Sequence, residues 1–233
     1  MLAIFKREFK SYFQNVIGWL FVAALLAVYG LYFYVYNLKN GYPYISYDLN
    51  GIGFIMMIAV PILTMRSLSD EKKTKTDQLM LTSPVSVGRI VAGKYFAMAA
   101  VYTIDIALFA LSPLVLSIYG KVALSEAYVA LFGYWLYGLS CIAVGLFISS
   151  ISESVIISAI LTFTALFLSY MMQSITGLIS SSGNLLTKVL NCFDLYTPFE
   201  NFVSGWFSVT SACFYASLRR SLSRREDGHF QRR

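Results

Sequence analysis

Side chains that could do catalytic chemistry are few in this sequence, and they are not placed for it. The single histidine, His229, lies in an arginine-rich terminal stretch, so the apolar runs contain none for a Ser/His dyad or an H-E-x-x-H zinc site. Asp105 is the one ionisable side chain deep in an apolar run, whereas an aspartyl protease needs two carboxyl groups that share a proton. No phosphate-binding G-x-x-x-x-G-K-[ST] sequence occurs. These observations argue against an enzyme, and no metal or cofactor site is predicted.

Asp105 still requires a physical explanation. An unpaired carboxylate within a membrane span costs about 2.5–3.5 kcal/mol on insertion scales. We therefore expect Asp105 to face protein, water or a subunit interface, or to be protonated. One interpretation places it along a translocation route or at the interface between subunits. The other gives it a local partner, such as Tyr102 or Thr103.

The sizeable polar segment 66–94 reads RSLSDEKKTKTDQLMLTSPVSVGRIVAGK and is the strongest candidate for a functional site. Ser69 can cap a helix whose first turn holds Asp70 and Glu71, where carboxylates favour the positive end of the helix dipole. Pro84 predicts the end of that helix. The apolar run 79–81 needs a surface to pack against, which could be the bilayer, the chain's own spans or a partner protein. The alternative is an ordinary solvated basic loop that sets membrane orientation.

The elements that hold this segment are predicted to be membrane helices. Of the 233 residues, 58% are hydrophobic and 13% are charged, about half the charge density of a soluble domain. A span needs about 20 apolar residues, so six spans would use about 120 and leave no room for a separate globular domain. The spacing of apolar and basic residues in 1–16 predicts a helix that lies on the membrane surface, with one apolar and one basic face. The predicted spans cover residues 17–36, 46–65, 90–119, 123–148, 155–175 and, most weakly because of its serines, 202–218.

The distribution of lysine and arginine predicts the orientation. With the amino terminus in the cytoplasm, the segments 1–16, 66–94, 149–154 and 219–233 hold 15 of the 18 cationic residues and leave three outside. This bias favours an even number of spans and cytoplasmic termini. It also explains the net charge of +6 without a nucleic-acid partner.

Two stretches resemble the permeases of ABC-2-type transporters. PILTMRSLSDEKKTKTDQLMLTSPVSVGRIVAGKYFA, residues 61–97, is similar to the region that joins their second and third spans. The opening MLAIFKREFKSYFQNVIGWLF resembles their surface helix and first span. The resemblance covers roughly residues 1–200 and is closest to the branch associated with gliding-motility and copper-processing export permeases.

That resemblance implies an all-α fold with a surface helix and six spans, one permease domain over 1–218 and a basic tail over 219–233. It further implies a bacterial inner-membrane subunit that pairs with a second permease copy or paralogue and with ABC ATPase subunits, which bind the ATP. A coupling helix in the loop would dock on the ATPase. The positions that match the family's motif are Glu71, Thr76, Leu79, Leu81, Pro84, Val85 and Lys94, with Asp70, Lys72 and Lys73 as rim charges.

Glu153, in the short turn 149–154, has two interpretations. The resemblance makes it a second, smaller ATPase contact, whereas its serine neighbours suggest a capping cluster at the start of the fifth span. For the whole chain, the alternative to a transporter subunit is a non-transporting membrane scaffold or assembly factor that binds a cytosolic partner. Membrane lipid is an expected partner of the chain. A membrane enzyme acting on lipid is disfavoured because no acid/base pair is available.

Overall fold

The computed structural model describes residues 2–70, 87–119, 122–179 and Phe199, and all its regular elements there are helices. A first helix, α1, covers Leu2–Gln14 and leads into α2, Val16–Phe33, which continues as a π-helical segment, Tyr34–Lys39. The other helices are α3, Ser46–Thr64; α4, Val87–Phe109; α5, Ser112–Tyr119; α6, Leu124–Ile151; and α7, Val155–Ile179.

Four stretches are long and apolar enough to cross a membrane: Val16–Lys39, Ser46–Thr64, Gly88–Ile118 and Leu124–Ile151. They coincide with the first four predicted spans. The fifth predicted span lies within α7, which is 25 residues long and whose described residues include the apolar stretch Val155–Met171. The sixth predicted span and the basic tail lie outside the described residues, so the total of six spans stays a prediction.

The third span differs from the uninterrupted helix that hydropathy predicts. A turn at residues 110–111 separates α4 from α5, and Pro113 is the second residue of α5. Proline has no N–H to bond to the carbonyl of Phe109, and its ring crowds the preceding turn. The hydroxyl of Ser112 donates to that carbonyl at 2.7 Å instead. The break therefore has a local cause.

Helices α3 and α6 form the centre of the bundle. Helix α3 packs against α2, α6 and α7, while α6 also packs against α4 and α7. Close approach of α3 and α6 depends on Gly145, because a Cβ there would lie 2.5 Å from Oγ1 of the fully buried Thr64. Phe199 also belongs to this core, with its ring centroid 5.4 Å from that of Tyr137 and 5.7 Å from that of Tyr134. Phe199, which follows α7 in the sequence, thus lies at the bundle centre.

Asp105 is not the only carboxyl buried in an apolar run. Asp48, in the first turn of α3, is fully buried and accepts a hydrogen bond from Nδ2 of Asn37. The π-helical segment carries Asn37 to that position, and sequence hydropathy gives no sign of it. Asp48 and Asp105 share no hydrogen bond, since neither oxygen of Asp105 has a partner among the described residues. They therefore do not form a proton-sharing pair.

Candidate functional site at the polar end of the bundle

Four parts of the chain meet at one end of the bundle: α1, residues 66–70 after α3, the start of α4, and residues 149–154 at and just beyond the end of α6. We call this the polar end. Helix α1 lies against α4, where Ile4 Cγ2 is 3.0 Å from the Cβ that a side chain on Gly93 would have. An aromatic row runs along α1 into α2, and Trp19 Nε1 donates to the carbonyl of Phe13 at 2.9 Å. Such a row is typical of a helix at the membrane interface.

Lys94 joins three of these parts although it is almost completely buried. Its side chain is 2% exposed, and its Nζ donates to the carbonyl of Ser67 at 2.6 Å. The same Nζ lies 3.8 Å from Oε1 of Glu8 on α1, which Arg7 also contacts at 2.8 Å. A buried ammonium group requires such partners. Lys94 therefore links the two ends of the polar segment to each other and to α1.

Ser149 fastens the start of the polar segment to the end of α6. Its Oγ accepts hydrogen bonds from the backbone N–H groups of Leu68 and Ser69, each at 3.2 Å. The hydroxyl of Ser69 in turn donates to the carbonyl of Ser149 at 3.1 Å. All of these groups are buried, so each bond satisfies a group that water does not reach. A displacement at residues 68–69 must therefore move the end of α6 or break these bonds.

A polar groove of about 490 Å³ opens beside these contacts. The described residues of its lining include three cationic side chains and two carboxylates, which come from α1, from residues 66–70 and from α4. We call it the basic groove, and its lining includes Arg7, Glu8, Arg66, Ser67, Asp70 and Lys94.

The described residues include only part of the predicted coupling site. Asp70 lies at the polar end and is exposed, as is Glu153 in the turn before α7. The structure thus brings these two acidic residues to the same end of the bundle. In this turn the hydroxyl of Ser152 donates to the carbonyl of Ser154 at 3.0 Å. A helix cap would instead accept a hydrogen bond from a backbone N–H, so the capping interpretation stays a prediction. The remaining predicted positions lie outside the described residues: Glu71, Lys72, Lys73, Thr76, Leu79, Leu81, Pro84 and Val85.

Asp105 lies apart from the polar end and is fully buried in α4. Neither expected local partner bonds to it. The hydroxyl of Tyr102 donates to the carbonyl of Tyr134 at 2.7 Å, and that of Thr103 donates to the carbonyl of Ala99 at 2.7 Å. The local-partner interpretation is therefore wrong for these two hydroxyls, and Asp105 faces the protein interior.

Sequence reasoning missed two residues of the polar end, Glu8 and Ser149. Their partners are 86 and 80 positions away in the chain, for the pairs Glu8 with Lys94 and Ser149 with Ser69. A single acidic residue on the basic face of residues 1–16 was the available signal for Glu8. Ser149 carried no signal that distinguished it from the neighbouring serines. Within the described ranges, no group of three or more His, Cys, Asp or Glu side chains is placed to hold a metal ion.

Apolar helices of spanning length, packed around a helical core and ending in a cluster of polar contacts, define an integral membrane protein of the polytopic α-helical class. A family model described as ABC-2 family transporter protein matches residues 32–205, which is most of the chain. The chain belongs to that family. A search of curated proteins finds no matching relative. Family membership makes the chain a permease component of an ABC transporter, and permeases of this family generally leave ATP hydrolysis to a separate subunit.

Proposed function

We propose that this chain pairs with a second permease, either another copy or a paralogue, and that ABC ATPases drive the pair through the segment 66–94. The observation that carries the proposal is the attachment of this segment at both ends. Its beginning is bonded to Ser149 at the end of α6, and its last residue, Lys94, is bonded back to Ser67. A segment held in this way can pass a displacement to α3, α4 and α6 together.

Mechanical transmission requires rigid connections, and the buried contacts of the polar end supply them. Sliding of packed elements between two discrete arrangements is a common form of such transitions. A push on Asp70 and the residues that follow would act on the hydrogen bonds of Leu68 and Ser69 before any span moved. We infer that the polar end acts as the lever, with Glu71 as the first ATPase contact and Glu153 as a second contact on the neighbouring turn. Apolar contacts from Leu79 and Leu81, next to Thr76 and the Pro84–Val85 pair, would complete the docking surface.

Charge reversal at Glu71 tests the docking role. Glu71→Lys should abolish stimulation of the co-purifying ATPase. If Glu71 faces a cationic group of the ATPase, the substitution sets two positive charges against each other, which costs several kcal/mol. The matched control is Glu126→Lys, the same substitution at an exposed position in the first turn of α6, at the opposite end of that helix. The measurement is ATP hydrolysis by the reconstituted complex, with membrane insertion checked for both variants.

Equal stimulation by the wild-type chain and Glu71→Lys would contradict the docking role. An ATPase that binds but whose hydrolysis never responds to the chain would instead favour the scaffold alternative.

The finer placement among gliding-motility and copper-processing export permeases rests on the resemblance of residues 61–97. We propose the bacterial inner membrane as the location, with both termini in the cytoplasm.

A further inference from the structure

We infer that the basic groove binds the phosphate group of an anionic membrane phospholipid. The inference depends on the chain's place in a membrane, which the apolar helices and the family establish, and not on the proposed coupling to an ATPase. The groove lies where three spanning stretches end. Ile17 is the second residue of the first stretch, Arg66 and Ser67 follow the second, and Lys94 lies in the first two turns of the third.

The depth of the groove corresponds to the level of lipid headgroups. The aromatic row of α1 and Trp19 runs beside it, and aromatic side chains concentrate at the membrane–water interface. An amphipathic helix lies with its apolar face at the boundary between headgroups and acyl chains. A lipid phosphate can therefore reach this groove from the bilayer without leaving its own layer.

The electrostatics of the groove favour an anion. Arg7 and Lys94 both lie near the same oxygen of Glu8, at 2.8 and 3.8 Å. Arg66 lines the groove with an exposed side chain, and the described residues contain no ion pair that involves it. Among the described residues of the lining, with Asp70 counted, there is one more positive than negative charge. Guanidinium groups bind phosphate oxygens through paired, charge-assisted hydrogen bonds.

A second, independent observation is the hydroxyl of Ser67. This residue lines the groove and is 7% exposed, and its Oγ has no hydrogen-bond partner among the described residues. A buried hydroxyl without a partner is unfavourable, and a phosphate oxygen would accept its proton in a hydrogen bond. Arg66 and Ser67 are adjacent in the chain, so both can contact one phosphate group.

The test is a titration of the full chain in detergent with phosphatidylglycerol or phosphatidylcholine, with bound lipid counted by native mass spectrometry. Arg66→Gln should weaken phosphatidylglycerol binding about tenfold, which is the loss of one charge-assisted hydrogen bond. Arg89→Gln is the matched control, because Arg89 is also exposed near the start of α4 but does not line the groove. It should leave the affinity unchanged, and Ser67→Ala should weaken binding without any change of charge.

Three results would overturn the inference. Equal effects of Arg66→Gln and Arg89→Gln would mean general attraction to cationic side chains. Displacement of the lipid by equimolar glycerol 3-phosphate would mean that the groove takes soluble phosphates. Unchanged phosphatidylglycerol binding by Arg66→Gln would mean that the groove does not hold the lipid phosphate. Because the readout is lipid bound to the chain alone, failure here leaves the Glu71→Lys experiment unaffected.

Discussion

Lys94 places an ammonium group where water scarcely reaches it, and this makes it the most informative single residue of the polar end. Lys94→Met keeps the length of the side chain but removes the donor to the carbonyl of Ser67. We expect the free energy of unfolding in detergent to fall by about 1–3 kcal/mol, the usual effect of leaving a buried acceptor without its donor. Lys39→Met, at an exposed position in the π-helical segment, is the control and should have little effect. Equal stability of the two variants would contradict the structural role of Lys94.

Asp105 gives a second prediction at this scale. Its oxygens have no hydrogen-bond partner among the described residues, so the contacts seen there give no reason for a charge at this position. Asp105→Asn keeps the shape and removes the ionisable group, and it should leave the melting temperature unchanged or raise it. A cation paired with Asp105 would produce the opposite result, because breaking a buried ion pair costs about 3–5 kcal/mol. Thermal unfolding of the purified chain distinguishes the two outcomes.

Sequence alone could identify Lys94 and Asp105 as candidate functional residues but could not predict what they contact. Asp105 is conspicuous because charge is rare in apolar runs, and Lys94 is conspicuous through its place in the resembling segment. The partners of Lys94 follow from how α1 crosses α4, and no local pattern encodes that crossing. Asp48 was missed because it stands near the end of a span, where a carboxylate usually faces water.

At the scale of elements, the contact between α3 and α6 fixes the centre of the bundle. Gly145→Ala would place a Cβ 2.5 Å from Oγ1 of Thr64, whose side chain is fully buried and bonded to the carbonyl of Val60. Overpacking of this kind costs about 1–3 kcal/mol. Gly30→Ala is the matched control, because a Cβ there meets nothing within 4 Å. The control should be neutral or slightly stabilising, since alanine favours a helix by about 0.5–1 kcal/mol over glycine. Equal melting temperatures for the two variants would refute the close contact.

Hydropathy predicted the first four spans because each must cover the same thickness of hydrocarbon with apolar side chains. Departures from regular helix were harder to predict. Pro113 explains the break between α4 and α5 once the structure is known, but hydropathy alone predicts one uninterrupted span over 90–119. The π-helical segment has no comparable marker in the sequence. Its wider turn coincides with a tertiary contact, the hydrogen bond between Asn37 and Asp48, which no local pattern predicts.

For the whole molecule, the two ends of the bundle differ in the polar groups that they contain. One end has the buried contacts of Lys94 and Ser149 and the basic groove, while the other has the Asn37–Asp48 hydrogen bond and the contact of Tyr29 with Ser112. Only the first end adjoins the long charged segment. The proposed coupling would act at this end, because an ATPase on one side of the membrane can contact the chain on that side alone.

The distribution of cationic residues predicts which end faces the cytoplasm. Fifteen of the 18 lysines and arginines fall on one side when the chain crosses the membrane six times, and the arginines of the terminal stretch count toward that side only if residues 202–218 span. A tag at the carboxyl terminus should therefore resist added protease in intact spheroplasts and be cleaved in inverted vesicles. A tag at the amino terminus is the control and should behave identically. Cleavage of the carboxyl-terminal tag alone in spheroplasts would mean five spans, and cleavage of both would place the polar end outside, beyond the reach of any cytoplasmic ATPase.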